Sequence, residues 1–414
     1  MKLRGMEERY ERPAWVRRLN AMGTAVGGPI EGARHLVPID SADLLERATR
    51  SIGGVPAGDF GDPGWQLRFE QLARAVDASD MHVVGRLLTK EELLRSLRTR
   101  LLVNRALDER PAMADERIES PIIVTGPARS GTSILFELLW LDESLRGPLA
   151  WEALHPLRLP ESSAEDLRPV VSESEQEFWA DVQPEFAAMH ELRSDLPVEC
   201  VTLTTPSFAG THWPMIARLD GFAPDMAQMY GYHHGILKLL QHAADERTWL
   251  LKTPGHLMAI DMVFETYPDA WIVQTHRDPA KTMPSTVSTT AMLQWLRTDR
   301  VDVAAVAATI GAGFSFALNS VAERRAAGDL PDRFVDVHFQ SLIADPVAAI
   351  GAAYEQMDRR FTDDHARAIL EYLANKPKGK FGTHRYTPEE WGFSAAALHE
   401  NLAPYIDHFA VELE

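Results

Sequence analysis

Cys200 is the only cysteine in 414 residues, which excludes an intramolecular disulfide and a zinc site built on cysteines. A reducing, cytoplasmic compartment is the simplest expectation. The opening MKLRGMEERYERPAW has no apolar h-region, so no secretory signal is expected there. The longest apolar stretch, Val303 to Leu318, falls short of the ~20 residues of a bilayer span. Its Ala and Gly content reads as a closely packed buried helix, and no membrane span is expected. Positive charge is also scarce: 42 Lys and Arg against 60 Asp and Glu leave a net charge of −18. That argues against non-specific nucleic-acid binding and attachment to anionic membranes, so a polyanionic ligand would need a local positive field. Neither a G-x-S-x-G elbow nor an H-E-x-x-H helix occurs, and no repeat or low-complexity tract is found.

What is present centres on Pro121 to Trp140, PIIVTGPARSGTSILFELLW. The β-branched run Pro121–Val124 predicts a strand buried on both faces of a parallel sheet. Gly126 to Ser133 breaks it, and Ile134–Trp140 has helical composition. Strand, small-residue turn and helix N-terminus together form an anion site, because unpaired N–H groups and the helix dipole converge there. The turn nearly fits G-x-x-x-x-G-K-[ST], but Thr132 occupies the lysine position and Arg129 is its only cation. Such a turn can cradle a 5′-phosphate through the Thr132 and Ser133 hydroxyls while lacking the group that reaches a triphosphate. A ligand-free βα turn is the plain alternative.

Residues 1 to about 117 read as helices without a strand. They form an extension or cap with a structural role, and the arginines of 95–105 are expected on a solvated face. Residues 161–192 read as an acidic helical lid, within a helical insertion of about 157–247. Strand-like runs recur at 248–252, 270–275 and 333–339; the first ends in Lys252 and the second runs into His276-Arg277. Alternation of strand and helix from 121 onward predicts an α/β fold: a P-loop-like central parallel sheet flanked by helices, spanning 118–414. Ligands of such sheets gather at the carboxyl ends of strands. The late segment Lys376–Tyr386 gathers Lys376, Lys378, Lys380, His384 and Arg385 in a Gly-containing loop suited to folding over a phosphate.

These motifs resemble those of sulfotransferases that use 3′-phosphoadenosine 5′-phosphosulfate (PAPS). Arg129-Ser130-Gly131-Thr132 after a strand is similar to their 5′-phosphosulfate loop. Arg277 and Ser285, eight residues apart, resemble the 3′-phosphate motif, and Lys378-Gly379 followed by Gly382 resembles the Lys-Gly-x-x-Gly loop that closes over the same phosphate. Trp151-Glu152, Lys252-Thr253-Pro254-Gly255-His256-Leu257 and Gly382-x-His384-Arg385-Tyr386 look most like a bacterial branch with a helical N-terminal region. The resemblance covers residues 121–386 and leaves the first hundred or so without a motif. Many cytosolic members carry Lys where Arg129 stands and a Trp-containing motif where His384 stands, so acceptor identity does not carry over.

The resemblance implies transfer of a sulfuryl group to a hydroxyl or amine, roughly in line, with no metal expected. Arg129 would stabilise charge at the bridging and sulfuryl oxygens, with Lys252 as a second cation. Ser130, Gly131, Thr132 and Ser133 would hold the 5′-phosphate; Arg277, Ser285, Lys378 and Gly379 the 3′-phosphate. Two residues compete for general base. Glu152, 23 residues past Arg129, resembles the catalytic Glu of tyrosylprotein-type members; His256, 21 residues before Arg277, is similar to the catalytic His of cytosolic members. Both stay open at this point. Trp, Phe and Met in 179–232 suit a small-molecule or lipid-like acceptor, and the helical arm makes a homodimer a reasonable expectation. The rival readings are a P-loop-type nucleotide kinase and a non-catalytic nucleotide-binding protein of the same fold.

Overall fold

Hydrophobic density at Pro121–Thr125 produces the central strand. In the computed structural model, which describes residues 3–54, 58–59, 62–159, 165–189, 193–242, 247–376 and 387–414, β1 (Ile122–Thr125) is buried along its whole length. Burying an Ile, Leu or Val side chain contributes about 1.5–3 kcal/mol. Continuous apolar runs therefore belong in the middle of a sheet covered on both faces.

The sheet has five parallel strands: β1, β2 (Leu145–Arg146), β3 (Thr248–Lys252), β4 (Trp271–His276) and β5 (Phe334–His338). Their order is β2-β3-β1-β4-β5. Two-residue β2 was invisible in the sequence, because its length gives no alternation to read. From β1 the chain runs out to the edge at β2, returns to β3, then crosses β1 to reach β4. The carboxyl end of β1 is thus a topological switch point, where open α/β sheets bind ligands. Register sets Val124 beside both Lys252 and Val273, so the ends of β1, β3 and β4 lie side by side.

Two expectations change. The arginines of 95–105 were expected on a solvated face, yet in the helix Val83–Glu109 Arg100 is fully buried and Arg95 nearly so. Acidic partners distant in sequence explain this: Asp62 meets Arg100 and Glu175 meets Arg95. The same helix holds Glu92, which pairs with fully buried Arg297 at 2.8 Å. Burial works to raise the Glu92 pKa, but Arg297 and His212 overcome it and hold the carboxyl at about 2. The second change concerns the apolar helix, which runs from Val303 to Ala327 and so is long and apolar enough to cross a membrane. One face, including Phe314, Leu318 and Val321, packs into the main core with the sheet, while Phe316 on the other face is 75% exposed. It is a one-sided core helix and not a buried one.

The N-terminal helices share an apolar core with Phe208, Trp213 and Ile216 of the central segment. Helices Arg168–Val182 and Phe186–Met189 then close over the carboxyl ends of the strands.

Candidate active site

Between β1 and the helix Thr132–Trp140 the chain turns through positive φ at Gly126 (136°), Arg129 (67°) and Gly131 (94°). Glycine takes this conformation freely; arginine there is strained by about 1–3 kcal/mol and must be held by its surroundings. Ser130 does the holding. Its N–H and its Oγ both donate to the Pro127 carbonyl, at 3.2 and 2.5 Å, and Oγ also shares a hydrogen bond with Thr275 Oγ1 of β4. The tightened turn leaves Arg129 exposed. Its side chain makes no ion pair among the described residues.

Lys252 ends β3 and is nearly fully buried. Its Nζ donates to Ser133 Oγ at 3.0 Å and to Glu199 Oε1 at 2.5 Å. Arg277 follows β4. Its Nη1 donates to the Arg129 carbonyl at 3.0 Å, its Nε and Nη2 meet the Glu414 carboxylate at 2.7 and 2.9 Å, and its guanidinium lies 3.9 Å from the Phe339 ring centre. Arg129, Lys252 and Arg277 thus come from the ends of adjacent strands and line one cavity of about 380 Å³. Gly131, Thr132 and Ser133 form its floor at a helix N-terminus, where first-turn N–H groups have no intrahelical acceptor. The site gathers cations in a strongly acidic chain, an arrangement whose chemistry suits an anion.

A second cavity of about 210 Å³ adjoins it, lined by Leu154, Trp179, Phe186, Met215 and Leu293, with Arg95 and Glu175 among its few charges. Ala150, Gln176, Val198 and Glu199 line both.

A family model described as "Sulfotransferase family" matches residues 121–363, which is more than half of the chain and contains all three cations. The chain belongs to the sulfotransferase family. Its relatives include the omega-hydroxy-beta-dihydromenaquinone-9 sulfotransferases Stf3 of Mycobacterium bovis and Mycobacterium tuberculosis. Each is 24% identical over 312 residues, covering 71% of this chain and 76% of the relative. Among solved structures, sulfotransferase STF9 from Mycobacterium avium superposes with a TM-score of 0.77 at 25% identity, covering 91% of this chain and 98% of that one. STF1 from Mycobacterium tuberculosis gives 0.70 at 25% identity, covering 87% and 98%.

In this sulfotransferase the site residues expected from sequence divide. Arg129, Gly131, Thr132, Ser133, Lys252 and Arg277 face the cavity together. Ser130 does not: it is fully buried and its hydroxyl and N–H brace the turn, so it acts through the loop. Ser285 is buried in the helix Pro279–Trp295 and does not line the cavity. Lys378 and Gly379 lie outside the described residues. Lys376, just before them, reaches the cavity wall and pairs with Glu137.

Neither expected base is presented. Glu152 accepts from Arg146 Nη2 at 2.9 Å through Oε1 and from the Leu149 N–H at 3.1 Å through Oε2. It caps the helix Ala150–Leu154 and is absent from the lining of both cavities. The reason is local: a Glu three residues past a helix cap folds back on the cap, and β2 delivers Arg146 beside it. His256 is buried, with Nδ1 against Tyr230 OH at 2.7 Å and Nε2 unpartnered. Burial lowers its pKa to about 4, so it is neutral near pH 7, and it is absent from the lining of both cavities. Glu199 was missed. The only signal in the sequence was a carboxylate inside an otherwise apolar segment, Leu196 to Leu203.

Proposed function

We propose that this sulfotransferase moves the sulfuryl group of PAPS to the hydroxyl of an apolar, lipid-like acceptor and releases adenosine 3′,5′-bisphosphate. The observation that carries this reading is the convergence of Arg129, Lys252 and Arg277 on one cavity over a helix N-terminus. PAPS carries phosphate at both ends of its ribose and so offers anions to separate cations. Gly131, Thr132 and Ser133 bind the 5′-phosphate; Arg277, at the far strand end, binds the 3′-phosphate. Arg129 stands free to engage the sulfuryl and bridging oxygens with its planar fork as negative charge builds on the leaving phosphate. Lys252 adds a second positive charge from the floor. When bound, the donor supplies the activated sulfur–oxygen bond, and the protein's part is alignment and charge stabilisation.

The apolar cavity supports the acceptor class. A hydroxyl on a hydrocarbon chain could lie along Trp179, Phe186 and Leu293 and reach the shared wall at Glu199. The Stf3 relatives, named for an omega-hydroxylated menaquinone, accord with such a molecule. A nucleotide kinase is disfavoured by Thr132 in place of the loop lysine.

Calorimetric titration in a chelating buffer tests the donor. Adenosine 3′,5′-bisphosphate should bind without divalent metal and more tightly than ATP or adenylyl sulfate. A requirement for magnesium with preference for ATP would overturn the reading.

A further inference from the structure

We propose that Glu199 is the general base that takes the acceptor's proton, an assignment that rests on the donor and acceptor cavities proposed above. Four residues line both cavities, and Glu199 is the only ionisable one among them. It stands half-buried at the wall where a hydroxyl entering from the apolar side would meet a sulfur held on the cationic side. A proton acceptor has to lie within hydrogen-bond reach of the reacting hydroxyl, and this wall is where both substrates come together.

Its surroundings define how it works. Oε1 accepts from Lys252 Nζ at 2.5 Å and Oε2 accepts from Thr253 Oγ1 at 3.1 Å. Lys252 and Thr253 are consecutive at the end of β3, so the strand fixes the orientation of the carboxylate. The other charged or titratable groups around it are Arg129, Arg193, Arg277, Lys376 and Glu137 in the cationic cavity, Glu175, Arg95 and His212 in the apolar one, and the buried His256 and Cys200, both of which feel its charge. Glu175 is already held by His155 at 2.9 Å and by Arg95 at 3.4 Å.

The step balances within these residues. The acceptor oxygen forms a bond to sulfur as its proton passes to a Glu199 carboxylate oxygen. The bond between sulfur and the bridging oxygen breaks, and its electron pair leaves with the 5′-phosphate of the bisphosphate. Lys252 then loses its partner's charge just as negative charge appears on the leaving oxygen, so its ammonium is released toward that oxygen. The ion pair therefore couples the two ends of the transfer: one proton moves and one cation changes partner.

The test compares wild type with Glu199→Gln, measuring bisphosphate release from PAPS with two acceptors in detergent micelles. Dodecanol keeps its proton at neutral pH and needs a base; p-nitrophenol, a far stronger acid already substantially ionised there, can react as its phenolate and does not. The variant should bind adenosine 3′,5′-bisphosphate like wild type, lose about 10²–10³-fold in turnover with dodecanol, and lose under tenfold with p-nitrophenol. Glu199→Asp should recover part of the dodecanol rate, and it carries the same comparison should the Gln variant fail to fold. Equal losses with the two acceptors, or undiminished dodecanol turnover, would overturn the assignment while leaving the donor reading intact. Wild type that binds the bisphosphate but uses neither alcohol would also overturn it. Wild type that binds no bisphosphate would instead sink the donor reading, and this inference with it.

Discussion

Arg277 donates from Nη1 to the backbone carbonyl of Arg129 at 3.0 Å, tying the end of β4 to the loop after β1. One guanidinium therefore steadies the strained turn and faces the cavity, while its opposite edge is held by Glu414 at 2.7 and 2.9 Å. A carboxylate on that edge competes with any phosphate that approaches it. Arg277→Ala should weaken adenosine 3′,5′-bisphosphate binding by roughly 10–10²-fold, the scale of a charge-assisted hydrogen bond. Adenosine 5′-phosphate, lacking the 3′ group, should lose much less. Glu414→Gln should act the other way and tighten the bisphosphate severalfold, most clearly at low salt. Equal losses for the two nucleotides would take Arg277 off the 3′-phosphate.

Arg129 makes no ion pair among the described residues, so its removal disturbs little else in the resting protein. Arg129→Ala should lower turnover by about 10²–10³-fold, as for loss of one preorganised charge stabiliser. Its bisphosphate affinity should stay within a few fold of wild type, since the bisphosphate lacks the sulfuryl group this residue serves. Steady-state rates paired with calorimetry check both halves; a loss under tenfold would take Arg129 off the catalytic list.

The sequence exposed the parts of this site that are local. A buried strand, a glycine turn and a helix start follow one another within twenty residues of Pro121, and their physics is written in consecutive positions. Lys252 and Arg277 were legible for the same reason, each closing or following a strand-like run. What stayed hidden depends on contacts between distant segments. Glu199 gains meaning only when a carboxylate meets Lys252, 53 residues on. The arginines of 95–105 looked solvated because nothing nearby announces that Asp62 and Glu175 wait in other elements. Glu152 misled in the opposite sense. Its spacing from Arg129 was visible, but its partner Arg146 belongs to a two-residue strand that leaves no pattern.

Glu152 should prove structural. Arg146 is nearly buried, donates also to the Leu240 carbonyl at 3.1 Å and lies 4.7 Å from the Trp249 ring centre. Glu152→Gln strips the counter-charge from that guanidinium, and removing one partner of a buried pair costs up to about 3–5 kcal/mol. Thermal melts should show a clear drop, while turnover per folded molecule stays within tenfold of wild type. A hundredfold loss of turnover in a variant of undiminished stability would return the proton-accepting role to Glu152 and remove it from Glu199.

Acid should destabilise the fold before it affects most carboxylates, because of buried neutral histidines. Burial lowers the pKa of His82, His233, His256 and His276, and for His256 the folded value is about 4 against an ordinary 6.5. Between those two pH values the unfolded chain binds a proton that the folded chain refuses, so stability falls as pH falls. The contribution of His256 is fully present above pH 6.5 and is lost on the way down to about 4; it amounts to roughly 3 kcal/mol. Urea midpoints for wild type should therefore drop steadily from pH 7.5 to 4.5. His256→Gln should start lower, having lost the Tyr230 contact, but should decline less steeply over the same range. Parallel curves for the two proteins would mean that His256 takes up its proton in the folded state, and would reopen it as a titrating group in the site.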